Sequence, residues 1–355
     1  MALFRENILD MSGYVPGFQP RETGFVKLNT NENPYPPSPR VKEALDAVAQ
    51  ADLRKYPDPF CEPFRQVAGR ILGIAPGRIL AGFGSDDILR MIFMACVAPG
   101  DMIAYPYPTY SLYKSLAEMS DARILSADFP EDYSLPEELI GNNARVTLIA
   151  NPNSPSGTMI PAARLAELAG SLKGILVIDE AYVDFADENC LPLIERFGNV
   201  IVCRTLSKSY SLAGIRFGFA VAQEPVIEQL VKVKDSYNTD RLSQAAAVAA
   251  FSDQEWMRLN AERIREQRAV LAAGLEALGF SVWPSQSNFV LARTPSGASA
   301  PRLLELLMER KVLIRYFAQR RVDDCLRITV GAPEEVRRLL DCLGELLERT
   351  AERKT

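Results

Sequence analysis

Six short apolar runs set the limits on what this chain can become. They are RILAGFG (78–84), MIAYP (102–106), VTLIA (146–150), GILVID (174–179), NVIVCRT (199–205) and FGFAVA (217–222), and helical spacing returns between them, as in SDDILRMIFMACVA (85–98). Runs that are apolar along their whole length belong to strands covered on both faces. Strands alternating with helices build a mostly parallel sheet between helical layers, so the predicted fold class is α/β.

The flanks read differently. Residues 1–40 are irregular and rich in Pro and Asn (NTNENPYPPSPR), which predicts an arm rather than a domain. RVKEALDAVAQA is an amphipathic helix opened by Pro39. Beyond a helix-rich stretch (241–278), FSVWPSQSNFVLART, KVLIRYF and CLRITVG are strands with more polar alternation, and EEVRRLLDCLGELLERT follows as a helix. The expected division is an arm over 1–40 that completes the small domain, a large domain over 41–255, and a small α+β domain over 256–355.

Composition narrows the chemistry. The chain has no histidine among its 355 residues, which removes Ser-His-Asp hydrolysis, Cys-His proteolysis, haem ligation by His and HExxH zinc sites. Proton transfer near neutral pH then falls to Lys, Tyr, Cys or a carboxylate, and hard chemistry to an organic cofactor. The formal net charge of −5 offers no broad attraction to nucleic acid or anionic membranes. No apolar stretch reaches the ~18 residues of a membrane span, and MALFRENILDMSG has no signal-peptide core. Six scattered cysteines without a CxxC pair read as reduced thiols, so a soluble cytoplasmic protein is expected.

Five segments carry candidate chemistry, all just past strand ends, where ligands sit in open α/β sheets. In TLSKSYSLAGIRFGF (205–219), Lys208 lies between Ser207 and Ser209 with Arg216 downstream. Hydroxyls and a guanidinium can hold a phosphate while a desolvated lysine amine forms a Schiff base with an aldehyde, the pattern that pyridoxal phosphate requires. The bland alternative is a solvated loop lysine. GILVIDEAYVDF ends a buried strand on Asp179, with Tyr182 three residues on. A buried aspartate must be paired or protonated, and a protonated pyridine nitrogen is a fitting partner. Tyr182 can donate to the ring hydroxyl. Asp179 can also be a plain helix cap.

In ILAGFGSDDILRMIF, Gly84, Ser85 and Asp86 place backbone N–H groups at a helix N-terminus, which favours phosphate. Asp86 can equally be an N-cap, and its charge assigns the contact mainly to the backbone and Ser85. ANPNSPSG (150–157) has the composition of a tight surface turn. Tyr110 in PYPTYSLY can stack on a cofactor ring.

These segments, in this order, resemble the fold-type I pyridoxal-phosphate-dependent aminotransferases, and within them the histidinol-phosphate aminotransferase family. The resemblance runs nearly end to end through SGYVPG, LNTNENPY, RKYPDP, GFGSDDIL, YPTYSLY, NPNSPSG, DEAYVDF, TLSKSYSLAGIRFGF, VKDSYN, NFVLAR, VLIRYF and CLRITVG. It implies a large cofactor-binding domain and a homodimer that shares active sites, with the arm at the dimer contact. It implies Lys208 as the Schiff-base lysine, Asp179 as the pyridinium partner and Tyr182 as the ring-hydroxyl ligand. Ser85, Asp86, Ser207 and Arg216 match the phosphate cup, with Tyr56 reaching it from the second subunit, and Tyr110 matches the stacking residue. Arg327 matches the clamp on the glutamate α-carboxylate. Arg315, Tyr237 and Tyr14 (from the other subunit) match positions that handle a substrate phosphate, and Asn31 an arm asparagine near the substrate. Where the family reads NPNNPTG, this chain has Ser154, so either Ser154 or Asn153 takes the ring-hydroxyl contact.

The implied reaction is transfer of the amino group of L-histidinol phosphate to 2-oxoglutarate, giving imidazole acetol phosphate and L-glutamate in histidine biosynthesis. An aromatic amino-acid aminotransferase or a threonine-phosphate decarboxylase would keep the same cofactor residues. The regulators that carry an aminotransferase-like domain need a DNA-binding segment in front of it.

Overall fold

The computed structural model describes residues 3–13, 17–50 and 53–352. The strands are β1 (Val26–Lys27), β2 (Ile79–Gly82), β3 (Met102–Tyr107), β4 (Arg123–Asp128), β5 (Val146–Ala150), β6 (Ile175–Asp179), β7 (Val200–Thr205), β8 (Gly218–Val221), β9 (Ser281–Val282), β10 (Phe289–Arg293), β11 (Val312–Leu313), β12 (Arg315–Tyr316) and β13 (Cys325–Thr329). They form a seven-stranded sheet in the order β2-β8-β7-β6-β5-β3-β4, a four-stranded sheet β12-β13-β10-β9, and the pair β1-β11.

All six apolar runs are strands of the large sheet, which is α/β and mostly parallel as expected. The exception is β8, antiparallel to both neighbours. Residues 206–217 turn the chain straight back from β7 without an α-helix, and a direct return can only be antiparallel. Strand β4, RILSAD, was not among the predicted runs. It lies at the sheet edge with most of its residues exposed, so it lacks the continuous apolar signature of its neighbours.

Alternate residues of the buried strands feed two apolar cores. Leu176 and Ile178 join one, together with Phe64, Phe219 and Phe251. Val177 joins the other with Ile92, Tyr113 and Leu116. A fully buried Leu, Ile or Phe side chain contributes about 1.5–3 kcal/mol, so two cores on one sheet make its strand ends a rigid platform. Asp179 continues the Val177 face and therefore meets Tyr113, from the helix Leu112–Met119.

The four-stranded sheet is antiparallel. Helices Gln254–Ala277, Ala300–Glu309 and Pro333–Glu352 accompany it. The arm is stitched to it: β1 pairs with β11, Thr329 N–H donates to Leu28 O at 3.0 Å, and Asn288 Nδ2 donates to Asn31 O at 2.9 Å. This pairing brings Asn29, Thr30 and Asn31 to the gap between the two sheets. Among the described residues no helix is long and apolar enough to cross a membrane.

Candidate active site

A cavity of about 210 Å³ opens where the carboxyl ends of the large sheet meet the arm and the small sheet. The turn between β7 and β8 supplies one wall. Leu206, Leu212 and Phe217 are buried and pin this turn, with Leu206 N–H donating to Phe217 O at 3.0 Å and Leu212 N–H to Leu206 O at 3.1 Å. The intervening Ser207 and Lys208 are left facing the cavity. Asn33 of the arm holds the turn from outside, donating through Nδ2 to Lys208 O at 3.1 Å. Lys208 Nζ lies 5.7 Å from the centre of the Tyr182 ring.

Opposite this turn, β2 leads into the helix Ser85–Cys96 through Gly84, whose φ of 82° is ordinary for glycine and strained for other residues. Gly218 allows the helix start to approach: a Cβ there would sit 2.5 Å from Ser85 N. Arg216 lies over this corner, with Nη1 donating to Ser207 Oγ at 3.4 Å and Nη2 3.5 Å from Asp86 Oδ2. Tyr110 Oη donates to the other Asp86 oxygen at 3.2 Å. Ser85, Ser207, Arg216 and the helix N-terminus thus form a cup for an anion, with the Asp86 charge offset by Arg216.

Asp179 forms the floor and is only 4% exposed. Tyr113 Oη donates to Oδ2 at 3.0 Å and Ala181 N–H to Oδ1 at 3.2 Å. Burial raises its carboxyl from the ordinary 3.8 to about 6, against the lowering effect of those two bonds. The neighbouring Glu180 is buried too, yet Arg204 pairs with it at 2.8 Å. Among the described residues no cation pairs with Asp179. It caps no α-helix either, since a 3-10 turn over Val183–Phe185 follows it. Tyr182 stands beside it, and its Oη accepts from Asn31 Nδ2 at 2.9 Å, which leaves the phenol proton available to donate.

The small sheet closes the far side with Arg315 and Arg327, directly opposite each other in the β12–β13 ladder. Arg327 donates to Asn29 O at 2.9 Å and to Ser154 Oγ at 3.3 Å.

Of the residues predicted from the sequence, Asn31, Ser85, Asp86, Tyr110, Asp179, Tyr182, Ser207, Lys208, Arg216, Arg315 and Arg327 line this one cavity. Asn153 does not; it is buried behind the wall, accepting from Thr109 Oγ1 at 2.9 Å and donating to Ser156 Oγ at 2.9 Å, while Ser154 faces the cavity. Tyr56 and Tyr237 lie away from it and stack on each other with centroids 4.4 Å apart. Tyr14 lies outside the described residues. Phe317, which ends the VLIRYF segment two residues after Arg315, and Gln319 on the loop beyond it also line the cavity, though neither was singled out from the sequence. Tyr113 was not singled out from the sequence: it lies in the first turn of the helix Leu112–Met119, and its link to Asp179 is made only by the fold.

A family model described as aminotransferase class I and II matches residues 23–343. Histidinol-phosphate aminotransferase 1 of Nostoc sp. is 47% identical over 347 residues, covering 97% of this chain and 98% of that protein. The histidinol-phosphate aminotransferase of Citrifermentans bemidjiense is 44% identical over 350 residues, covering 98% and 99%. Among solved structures, histidinol-phosphate aminotransferase from Sinorhizobium meliloti in complex with pyridoxal-5'-phosphate matches with a TM-score of 0.89 at 27% identity, over 98% of each chain.

Proposed function

This chain belongs to the class I and II aminotransferase family, and on that footing we propose that it moves the amino group of L-histidinol phosphate to 2-oxoglutarate. The products are imidazole acetol phosphate and L-glutamate, the step is one of histidine biosynthesis, and the cofactor is pyridoxal 5'-phosphate. The observation that carries this reading is one cavity holding Lys208, the buried Asp179 and two arginines, in a chain whose full-length relatives at 44–47% identity are histidinol-phosphate aminotransferases.

Asp179 supplies the test of fit. A buried carboxylate at the cavity floor with no paired cation among the described residues calls for one, and a protonated ring nitrogen would supply it. Lys208 would hold the cofactor through its ε-amine, Asp179 its ring nitrogen and Tyr182 its ring hydroxyl. Ser85, Ser207 and Arg216 would hold its phosphate, and Tyr110 would cover its ring. Of the turn after β5, Ser154 rather than Asn153 reaches that space. When bound, pyridoxal phosphate supplies an electron sink that stabilises the carbanion.

The chain's own residues do the rest. Once the incoming substrate amine has displaced it, the freed Lys208 Nζ would take the proton from the amine-bearing carbon of the substrate, a role that in a chain without histidine falls to Lys, Tyr, Cys or a carboxylate. Tyr113 holds one Asp179 oxygen, and Asn31 orients the Tyr182 phenol. Arg315 receives the substrate phosphate and Arg327 the α-carboxylate of glutamate or 2-oxoglutarate, each a fork suited to two parallel bonds.

The same reading makes the working unit a homodimer. Tyr56 is 76% exposed, which suits a residue offered to a second subunit's cavity together with Tyr14, while Tyr237, assigned to the substrate phosphate, stacks on Tyr56 outside the cavity of its own chain. It divides the chain into an arm (1–40), a large domain (41–255) and a small domain (256–355). It assigns the protein to the cytoplasm, where six free cysteines are at home. The test is a comparison of amino donors with 2-oxoglutarate as acceptor. Histidinol phosphate should be used far better than phenylalanine, and threonine phosphate should release no carbon dioxide. Preference for phenylalanine would overturn the substrate assignment.

A further inference from the structure

Arg315 and Arg327 occupy paired positions of an antiparallel ladder, where like charges destabilise each other. Both nevertheless face the same cavity. Both lie against one aromatic ring. The guanidinium carbon of Arg315 is 5.2 Å from the centre of the Phe317 ring, and that of Arg327 is 5.3 Å from it. Arg327 is also 5.2 Å from the Phe289 ring, which meets Tyr182 edge-on at 5.0 Å. Cations and rings thus alternate from the small-sheet wall to the residue beside Lys208.

A ring face attracts a cation through its quadrupole and, unlike a carboxylate, adds no negative charge to the wall. A carboxylate at this place would steady both arginines but would compete with any anion they were meant to bind. A ring steadies them without adding a negative charge that competes with an anion.

We propose that Phe317 is a positioning residue for anion recognition, holding the two guanidiniums side by side so that the cavity binds phosphate and carboxylate substrates tightly. This rests on the reading of Arg315 and Arg327 as the substrate-binding pair. Phe317 acts on how tightly substrates bind and leaves the proton transfer at Lys208 unchanged.

The test uses the cofactor-loaded enzyme and two variants, Phe317→Leu, which keeps bulk and loses the ring, and Phe317→Tyr, which keeps the ring. Phe317→Leu should raise KM for both histidinol phosphate and 2-oxoglutarate by about fivefold to thirtyfold, the range open to two partly desolvated cation–ring contacts. Its kcat should stay within about twofold, and Phe317→Tyr should restore both KM values. Unchanged KM values in Phe317→Leu, or a loss confined to kcat, would overturn the proposal. So would failure of Phe317→Tyr to rescue, since that would make the role one of packing alone. If the wild-type enzyme turns over neither substrate, the functional reading fails by itself. Calorimetric binding of 2-oxoglutarate to wild-type and Phe317→Leu enzyme then decides this proposal separately, weaker binding by the variant upholding it and equal binding overturning it.

Discussion

Tyr113 Oη donates to Asp179 Oδ2 over 3.0 Å, with Asp179 at the cavity floor and Tyr113 fully buried behind it. The bond favours the charged carboxylate, while burial works against it and leaves Asp179 at about 6. Burial and the nearby Asp179 charge also hold the Tyr113 phenol well above its usual range, so it remains a donor at any working pH. Tyr113→Phe removes that support. Hydrogen bonds to charged groups contribute about 1.5–3 kcal/mol, so cofactor affinity at neutral pH should fall roughly tenfold to a hundredfold. Titrating the variant with pyridoxal phosphate measures this, and wild-type affinity would show that Tyr113 only fills space.

Asp179→Asn separates stability from activity. The folded carboxyl titrates at about 6 against an ordinary 3.8, so between those values the folded state binds more protons than the unfolded one. Stability of the cofactor-free protein therefore falls as pH rises through that window, by about 3 kcal/mol in all. The uncharged amide escapes this loss. Relative to wild type, cofactor-free Asp179→Asn should gain stability between pH ~4 and pH ~7, while turnover of the loaded variant drops by about a hundredfold to a thousandfold. Denaturant melts across that range check the first half. A pH-independent difference would mean that Asp179 is not the buried acid of this account.

The two arginines should divide the substrates. Arg315→Lys loses a planar fork at the phosphate, and should weaken histidinol phosphate by roughly tenfold to a hundredfold while sparing 2-oxoglutarate. Arg327→Lys should do the reverse. An arginine that merely paired at the surface would contribute ~0–1 kcal/mol and change little. Half-reactions measured separately with each substrate decide this, and equal losses in both would refute the division.

These predictions draw on features that differ in how openly the sequence carries them. The buried strands β5, β6 and β7 were legible because a sheet covered on both faces demands unbroken apolar runs. Lys208, Asp179 and Ser85 stood out because each lies at or within three residues of the end of such a run, where ligands gather. The edge strand β4 was not, since exposure removes the apolar pattern. The choice between Asn153 and Ser154 was also closed to the sequence: neighbours in a turn differ only in which way each side chain points. Gln319 reaches the cavity from the loop beyond β12. No local spacing records a contact made by tertiary structure.

The central claim is that Lys208 holds the cofactor above Asp179, and covalent trapping tests it most directly. Borohydride reduction of the loaded enzyme, followed by proteolysis and mass spectrometry, should find the pyridoxyl group on the peptide containing Lys208. Lys208→Ala should carry none and should lose amino transfer. A pyridoxyl group on another lysine of the wild-type enzyme, or a Lys208→Ala protein that still traps the cofactor and turns over, would contradict the account.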